Sequence, residues 1–277
     1  MKLLWQILAV VAVGAIGGQS VSAVQDNPWL SLPLGSLTAV LLVLVYRWVV
    51  GRTERRPVTE LAREGAPGAL LRGLVIGVLM FGCVIANIYF LGDYKVHGAG
   101  SASGAIALVG FMAGAAVSEE LMFRGLLFRL VERGLGTYIA LVLSAVVFGA
   151  SHLLNKDATL LGGVAIALEA GAMLAAAYAA TRSLWLPIGL HFGWNYAESG
   201  IFGTEVSGNG DTHGLLDAST SGAQLVTGGE FGPEASVYAM LAGGLLTLAF
   251  LWLARRRGHI VPRQRAERVD ALATLAR

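Results

Sequence analysis

Eight long apolar stretches divide this chain: Leu3–Val24, Leu30–Val50, Gly73–Leu91, Ala102–Phe123, Tyr138–Leu154, Ala158–Thr181, Trp185–Glu198 and Ser236–Ala254. A helix of about 20 apolar residues spans the hydrocarbon of a bilayer. The stretches therefore predict an all-α fold, a polytopic membrane helix bundle of about eight transmembrane helices. Residues 1–277 are read as a single integral membrane domain. Composition agrees: 14% of residues are charged, against about 25% in soluble domains. Mean hydropathy is +0.66. The fourth stretch is expected to continue as helix through Arg133, because Leu126, Leu127, Leu130 and Val131 keep a helical period. Abundant Gly and Ala favour close approach of helix backbones.

Lys and Arg set the orientation, since cytoplasmic loops carry the excess. With alternating spans and the N-terminus inside, the inner side receives Lys2, Arg47, Arg52, Arg55, Arg56, Arg63, Arg72, Arg129, Arg133, Arg182 and the tail from Arg255. Only Lys95 and Lys156 fall outside, and the loop Ser199–Glu234 has neither Lys nor Arg. The expected topology is N-in, C-in, with residues 255–277 a basic cytoplasmic tail that meets the lipid bilayer and not nucleic acid. The first stretch also reads as a signal peptide, with Val21-Ser22-Ala23 as its cleavage site. The stretch from Asn209 to Gly214 reads as part of a flexible outer loop. Cys83 is the only cysteine, which excludes an intramolecular disulfide and a cysteine-rich metal site.

Polar groups inside the spans are costly, about 2.5–3.5 kcal/mol for a charge at the bilayer centre. They are therefore the candidate functional residues. Glu119, Glu120 and Arg124 lie in the fourth span, His152 in the fifth, Glu169 in the sixth, and His191 and Asn195 in the seventh. Glu120 and Arg124 are spaced i, i+4 and share a face, as are His191 with Asn195 and Phe148 with His152. Glu119 is turned about 100° away from Glu120 and is free to point elsewhere. Counted from the inner helix ends, Glu119, His152 and Asn195 all lie about 20–22 Å up. Two carboxylates, two imidazoles and an amide at one level can activate water and stabilise an oxyanion. Each alone reads as well as a packing residue or a structural bridge, the latter above all for Glu120–Arg124. Glu169 has no partner near it in sequence and is read as a supporting group behind the site or as a packing residue. Glu198, one turn past Asn195, is expected to reach the outer surface.

The ordered set Glu119-Glu120-x-x-x-Arg124, Phe148-x-x-x-His152 and His191-x-x-x-Asn195 resembles the CPBP family of CAAX proteases and bacteriocin-processing proteins, also called Abi. Its eukaryotic members are the Ras-converting prenyl endopeptidases. The stretch Ser183–Asn195 is similar to the family's third motif beyond its fixed positions. The resemblance covers roughly residues 100–200, which it marks as a catalytic core. It implies an intramembrane endopeptidase acting on a membrane-associated peptide or protein. Glu119 and His152 would activate the attacking water. His191 and Asn195 would stabilise the tetrahedral oxyanion. Glu120, with Arg124 and Phe148, would brace the site. The chain composition reads as bacterial, so the expected location is the cell (inner) membrane.

The alternative is a non-enzymatic bacteriocin-immunity or partner-binding membrane protein whose polar cluster only organises the bundle. A transporter is disfavoured by the lack of an internal repeat. Rhomboid-type serine and His-Glu-x-x-His zinc proteases are disfavoured because neither motif occurs. The family is often described as metalloproteases, and Glu119, His152 and His191 could supply three zinc ligands. Against zinc, His191 pairs with Asn195, a poor ligand and a good oxyanion donor. Neither histidine has a second ligand on its own helix. No metal or other cofactor is therefore expected, with Zn²⁺ as the alternative.

Overall fold

The computed structural model describes residues 2–25, 27–210 and 213–263. Within them the chain forms α1 (Lys2–Ser22), α2 (Pro28–Glu54), α3 (Ala66–Phe90), β1 (Tyr94–Ala99), α4 (Ala102–Leu135), α5 (Thr137–Leu154) and α6 (Leu160–Thr181). Then come α7 (Trp185–Asn195, continued by a wider-wound segment, Tyr196–Ile201), β2 (Leu216–Thr220) and α8 (Val237–Arg256). Seven of these helices, all except α7, are long and apolar enough to cross a membrane. The seventh stretch falls short of that length. It is nevertheless helical, and its 11 residues with the 6 that follow still carry the chain from the Arg182 end to the capped end, which keeps the alternation of helix direction. Twelve of these 17 residues are buried and none is exposed. The chain is a multi-pass membrane protein built as a helix bundle.

Local chemistry explains the helix starts. Asn27, Ser101, Thr159 and Ser236 cap α2, α4, α6 and α8, each side chain accepting from a backbone N–H two or three residues on. All four caps lie at one end of the bundle. The opposite end is tied by charge. Glu54 accepts from Arg129 (2.6 Å), Arg56 (2.8 Å) and Arg133 (2.9 Å). Glu60 accepts from Arg56 (2.6 Å) and from the Tyr46 hydroxyl (2.9 Å). Burial pushes the Glu60 carboxyl up, but the hydrogen bonds from Arg56 and from its own backbone, with the charges of Arg56 and Arg129, together hold it below the ordinary carboxylate value. Arg182 binds Glu132 and the His259 carbonyl, which draws the chain after α8 onto the same end. The elements that sequence analysis assigned to the inner side thus gather at one end. The tail residues 264–277, and Asp211 and Thr212 of the outer loop, lie outside the described residues.

Small residues set the interior packing. A Cβ added at Gly73 or Gly77 of α3 would stand 2.3 Å from the carbonyl of Leu186 or Leu190 of α7. A Cβ at Gly189 or Gly193 would stand 2.2 or 2.4 Å from the carbonyls of Leu70 and Leu74. Two glycine pairs spaced i, i+4 therefore seat α3 and α7 backbone to backbone, with His191 between the α7 glycines. Gly35 and Gly110 lock α2 to α4 in the same way. Large apolar side chains on the outer faces, such as Leu37, Leu41, Leu44 and Trp48 of α2 and Leu241, Leu245, Leu248 and Trp252 of α8, remain exposed. In a membrane they face lipid.

At the capped end, β1 and β2 pair antiparallel, Tyr94 opposite Thr220 and Ala99 opposite Leu216, with a bulge between Val96 and Gly98. No strand was expected from the sequence. The loop Ser199–Glu234 is likewise not merely a flexible connection. It carries β2 and a helical turn at Gln224–Thr227, and it buries Phe231, Glu234 and Ala235.

Candidate active site

Three helices change their winding where they carry buried polar groups. The α-helix of α4 ends at Glu120 and passes into i→i+5 winding over Leu121–Phe128, which includes Arg124. The same winding occurs over Ala167–Ala172 around Glu169, and over Tyr196–Ile201 around Glu198. Such segments often mark functional sites, because they re-aim side chains at the cost of regular hydrogen bonding. At the end of α5 the helix instead tightens, and His152 begins a narrow turn through Leu154.

The motif residues converge. Arg124 is fully buried; its Nη1 donates to Glu120 Oε1 at 2.8 Å. Its Nη2 donates to the carbonyls of Ala170 (3.1 Å) and Gly171 (3.0 Å) in the wide segment of α6. Its guanidinium carbon lies 4.5 Å from the centre of the Phe148 ring, a cation–π contact in a dry interior. Glu120 Oε1 also accepts from His191 Nδ1 at 2.9 Å. A single carboxylate thus ties α4 to α7, and its arginine ties α4 to α6.

Glu119 points the other way, into a cleft of about 460 Å³. His152 and Asn195 line the same cleft. His152 Nδ1 donates to the Phe148 carbonyl at 2.8 Å. That bond fixes the tautomer and leaves Nε2 as the ring's free face. Nε2 of His152 lies 4.0 Å from Glu119 Oε2, and Nε2 of His191 lies 3.9 Å from the same atom. His191 sits behind Glu119 and is not itself part of the cleft wall. Glu119 Oε2 has no hydrogen-bond partner among the described residues. Separations near 4 Å between polar atoms are those a shared water bridges.

The remaining wall was not foreseen. Phe111, Met112 and Ala115 of α4 line the cleft on one side, and Val206, Ser207 and Asn209 of the outer loop line it on another. A Gly-rich loop without Lys or Arg carried no signal that it would fold back over the site. Glu169 is 1% exposed, and neither of its oxygens has a hydrogen-bond partner among the described residues. Glu198 does not reach the outer surface: it is 0% exposed. The loop folds back and covers it.

Among the described residues no three His, Cys, Asp or Glu side chains form a group that could hold a metal ion. Ligands around a tetrahedral zinc at about 2.0–2.2 Å stand about 3.3–3.6 Å apart. The two imidazole Nε2 atoms stay 3.9 and 4.0 Å from Glu119 Oε2. As arranged, the residues do not fit a zinc shell.

A fold of seven long apolar helices around a partly buried cluster of acids, imidazoles and an amide defines a multi-pass membrane protein with an internal polar site. Residues 101–197 match the family model described as type II CAAX prenyl endopeptidase Rce1-like. That segment is about a third of the chain and contains every motif residue named above. No curated protein and no solved structure shows significant similarity to the chain.

Proposed function

We propose that this protein is an intramembrane endopeptidase that hydrolyses a peptide bond of a membrane-associated protein with water activated by Glu119. The observation that carries the reading is Glu119, a residue of the cleft wall whose Oε2 is buried without a partner among the described residues and flanked by two imidazole Nε2 atoms at 3.9 and 4.0 Å. A water between them would give its proton to Glu119 while His152 Nε2 orients it. The hydroxyl oxygen attacks the scissile carbonyl, and Glu119 then passes the proton to the leaving amine. Asn195, on the cleft wall, donates its amide N–H to the developing oxyanion. His191 adds a donor at Nε2 in its doubly protonated form, balanced by the Glu120 carboxylate at 2.9 Å. Glu120, Arg124 and Phe148 hold this geometry and do not touch the substrate. No step needs a metal. The Lys/Arg distribution supports a place in the cell membrane with both termini inside and the capped end outside.

A purely organising cluster would account for Glu120, Arg124 and His191, which are joined through Glu120 Oε1. It would not account for Glu119. Comparing membrane-peptide proteomes of cells carrying the parent protein and Glu119→Gln tests the reading. One or a few peptides produced only by the parent are expected. Identical peptide sets at equal protein levels would support the non-enzymatic, partner-binding alternative.

A further inference from the structure

Outside the motif residues the molecule buries two more acids next to the cleft. Glu198, on the wide segment after α7, and Glu234, in the tight turn before α8, are 0% and 1% exposed. Their side chains lie within hydrogen-bond reach of each other. Both oxygens of Glu198 and Oε1 of Glu234 lack a well-aligned donor among the described residues, although the Glu234 backbone N–H faces Glu198 and the Trp194 indole N–H faces Glu234. Two carboxylates facing each other have no hydrogen between them, so a bond exists only if the pair keeps a proton.

The position of this pair gives it a task. The backbone carbonyl of Glu198 accepts from both the amide and the hydroxyl of Thr204, each at 3.0 Å, where the outer loop begins. The Glu198 carboxyl reaches the other end of the loop: its Oε1 lies 3.5 Å from where a Gly232 Cβ would stand. Ser207, part of the cleft wall, hydrogen-bonds to Glu234. Asn195, with its amide on the cleft wall, is three residues before Glu198, and Ser199 donates to the Asn195 carbonyl at 3.1 Å.

We infer that Glu198 and Glu234 share one proton and, as an acid–carboxylate pair, are positioning residues. They hold loop residues 206–210 as the outer wall of the cleft and hold the Asn195 turn against it. The inference rests on reading the cleft as the active site. Other ionisable groups face the pair. Glu169 comes from α6 with Arg124 behind it, and His152 comes from α5. Burial pushes the Glu234 carboxyl above the ordinary carboxylate value, against the hydrogen bond from Ser207 and the charge of His152. A raised carboxyl holds its proton more firmly in the closed form. The clamp is therefore complete at low pH and is lost as pH rises through the raised value.

The test uses the full chain in liposomes with Cys83→Ala and a reporter, Met112→Cys, on the cleft wall. Its labelling rate by a small thiosulfonate is divided at each pH by the rate of the same chain in denaturing detergent. That ratio cancels ionisation of the thiol. Between pH 5 and 9 the parent is expected to open with pH, by up to about tenfold per unit for one linked proton. Glu234→Gln and Glu198→Gln each supply an amide donor that needs no added proton, so both should stay closed at every pH. Glu234→Ala should be open throughout. A flat profile in the parent, or a rise retained in either Gln variant, would overturn the inference. Labelling needs no hydrolysis, so the same profile is expected in Glu119→Gln. The protease reading and the clamp can therefore fail separately.

Discussion

Arg124→Ala separates the frame of the site from its chemistry. The arginine is 0% exposed and makes three charge-assisted bonds, to Glu120, Ala170 and Gly171, besides its contact with Phe148. Truncation leaves the Glu120 carboxylate in a dry interior with only the His191 imidazole beside it. Removing one partner of a buried ion pair costs about 3–5 kcal/mol, mostly the penalty of the stranded charge. For a chain of this size one kcal/mol moves Tm by about 2–4 °C, so a fall of roughly 6–20 °C is expected. Thermal unfolding of the purified protein in mild detergent measures it. If the stranded charge is the cause, adding Glu120→Gln should recover part of the loss, since a neutral amide is cheaper to bury. Arg124→Lys should fall between, because a point-charge ammonium cannot serve Glu120 and both α6 carbonyls together. A Tm for Arg124→Ala within about 2 °C of the parent, or a double variant no more stable than the single, would refute the reasoning.

Glu119→Gln is nearly isosteric and sits on the cleft wall. It should unfold within about 1 kcal/mol of the parent while cleavage of a substrate identified by proteomics falls about 10²–10⁴-fold. Collapse of folding instead would make Glu119 structural. For topology, single cysteines at the exposed positions Ser221 and Glu64 in a Cys83→Ala background should be labelled from outside intact cells at Ser221 only; the reverse pattern inverts the bundle. For metal, activity is expected to survive exhaustive chelation, with zinc well below stoichiometric by elemental analysis. Stoichiometric zinc whose removal abolishes activity, and whose return restores it, would make Glu119, His152 and His191 ligands.

What the sequence determined by itself is local. Apolar runs of helical length follow from the cost of putting charge and open backbone in lipid, and seven of the eight proved long enough to cross. The pairs Glu120–Arg124 and Phe148–His152 were legible because residues four apart on a helix meet whatever surrounds them; the first is bonded at 2.8 Å, and the second brings its rings to 4.7 Å. Polar residues stood out against an apolar background, which is why the motif residues could be singled out. Tertiary structure decided the rest. Hydropathy does not tell a lipid-facing helix from one buried in protein, because both neighbours are apolar, so nothing in the sequence showed that other helices enclose α7. Glu120 meets His191 across 71 residues of chain, and no periodicity reports such a contact. Glu198 read as a surface residue because its cover, Gly232 to Glu234, arrives only after the outer loop has turned back. The strands, 94–99 and 216–220, pair only because α3, α4 and α7 deliver their ends to one side of the bundle. Each of these is a long-range closure, and its free energy comes from partners that neighbouring residues in the chain do not specify.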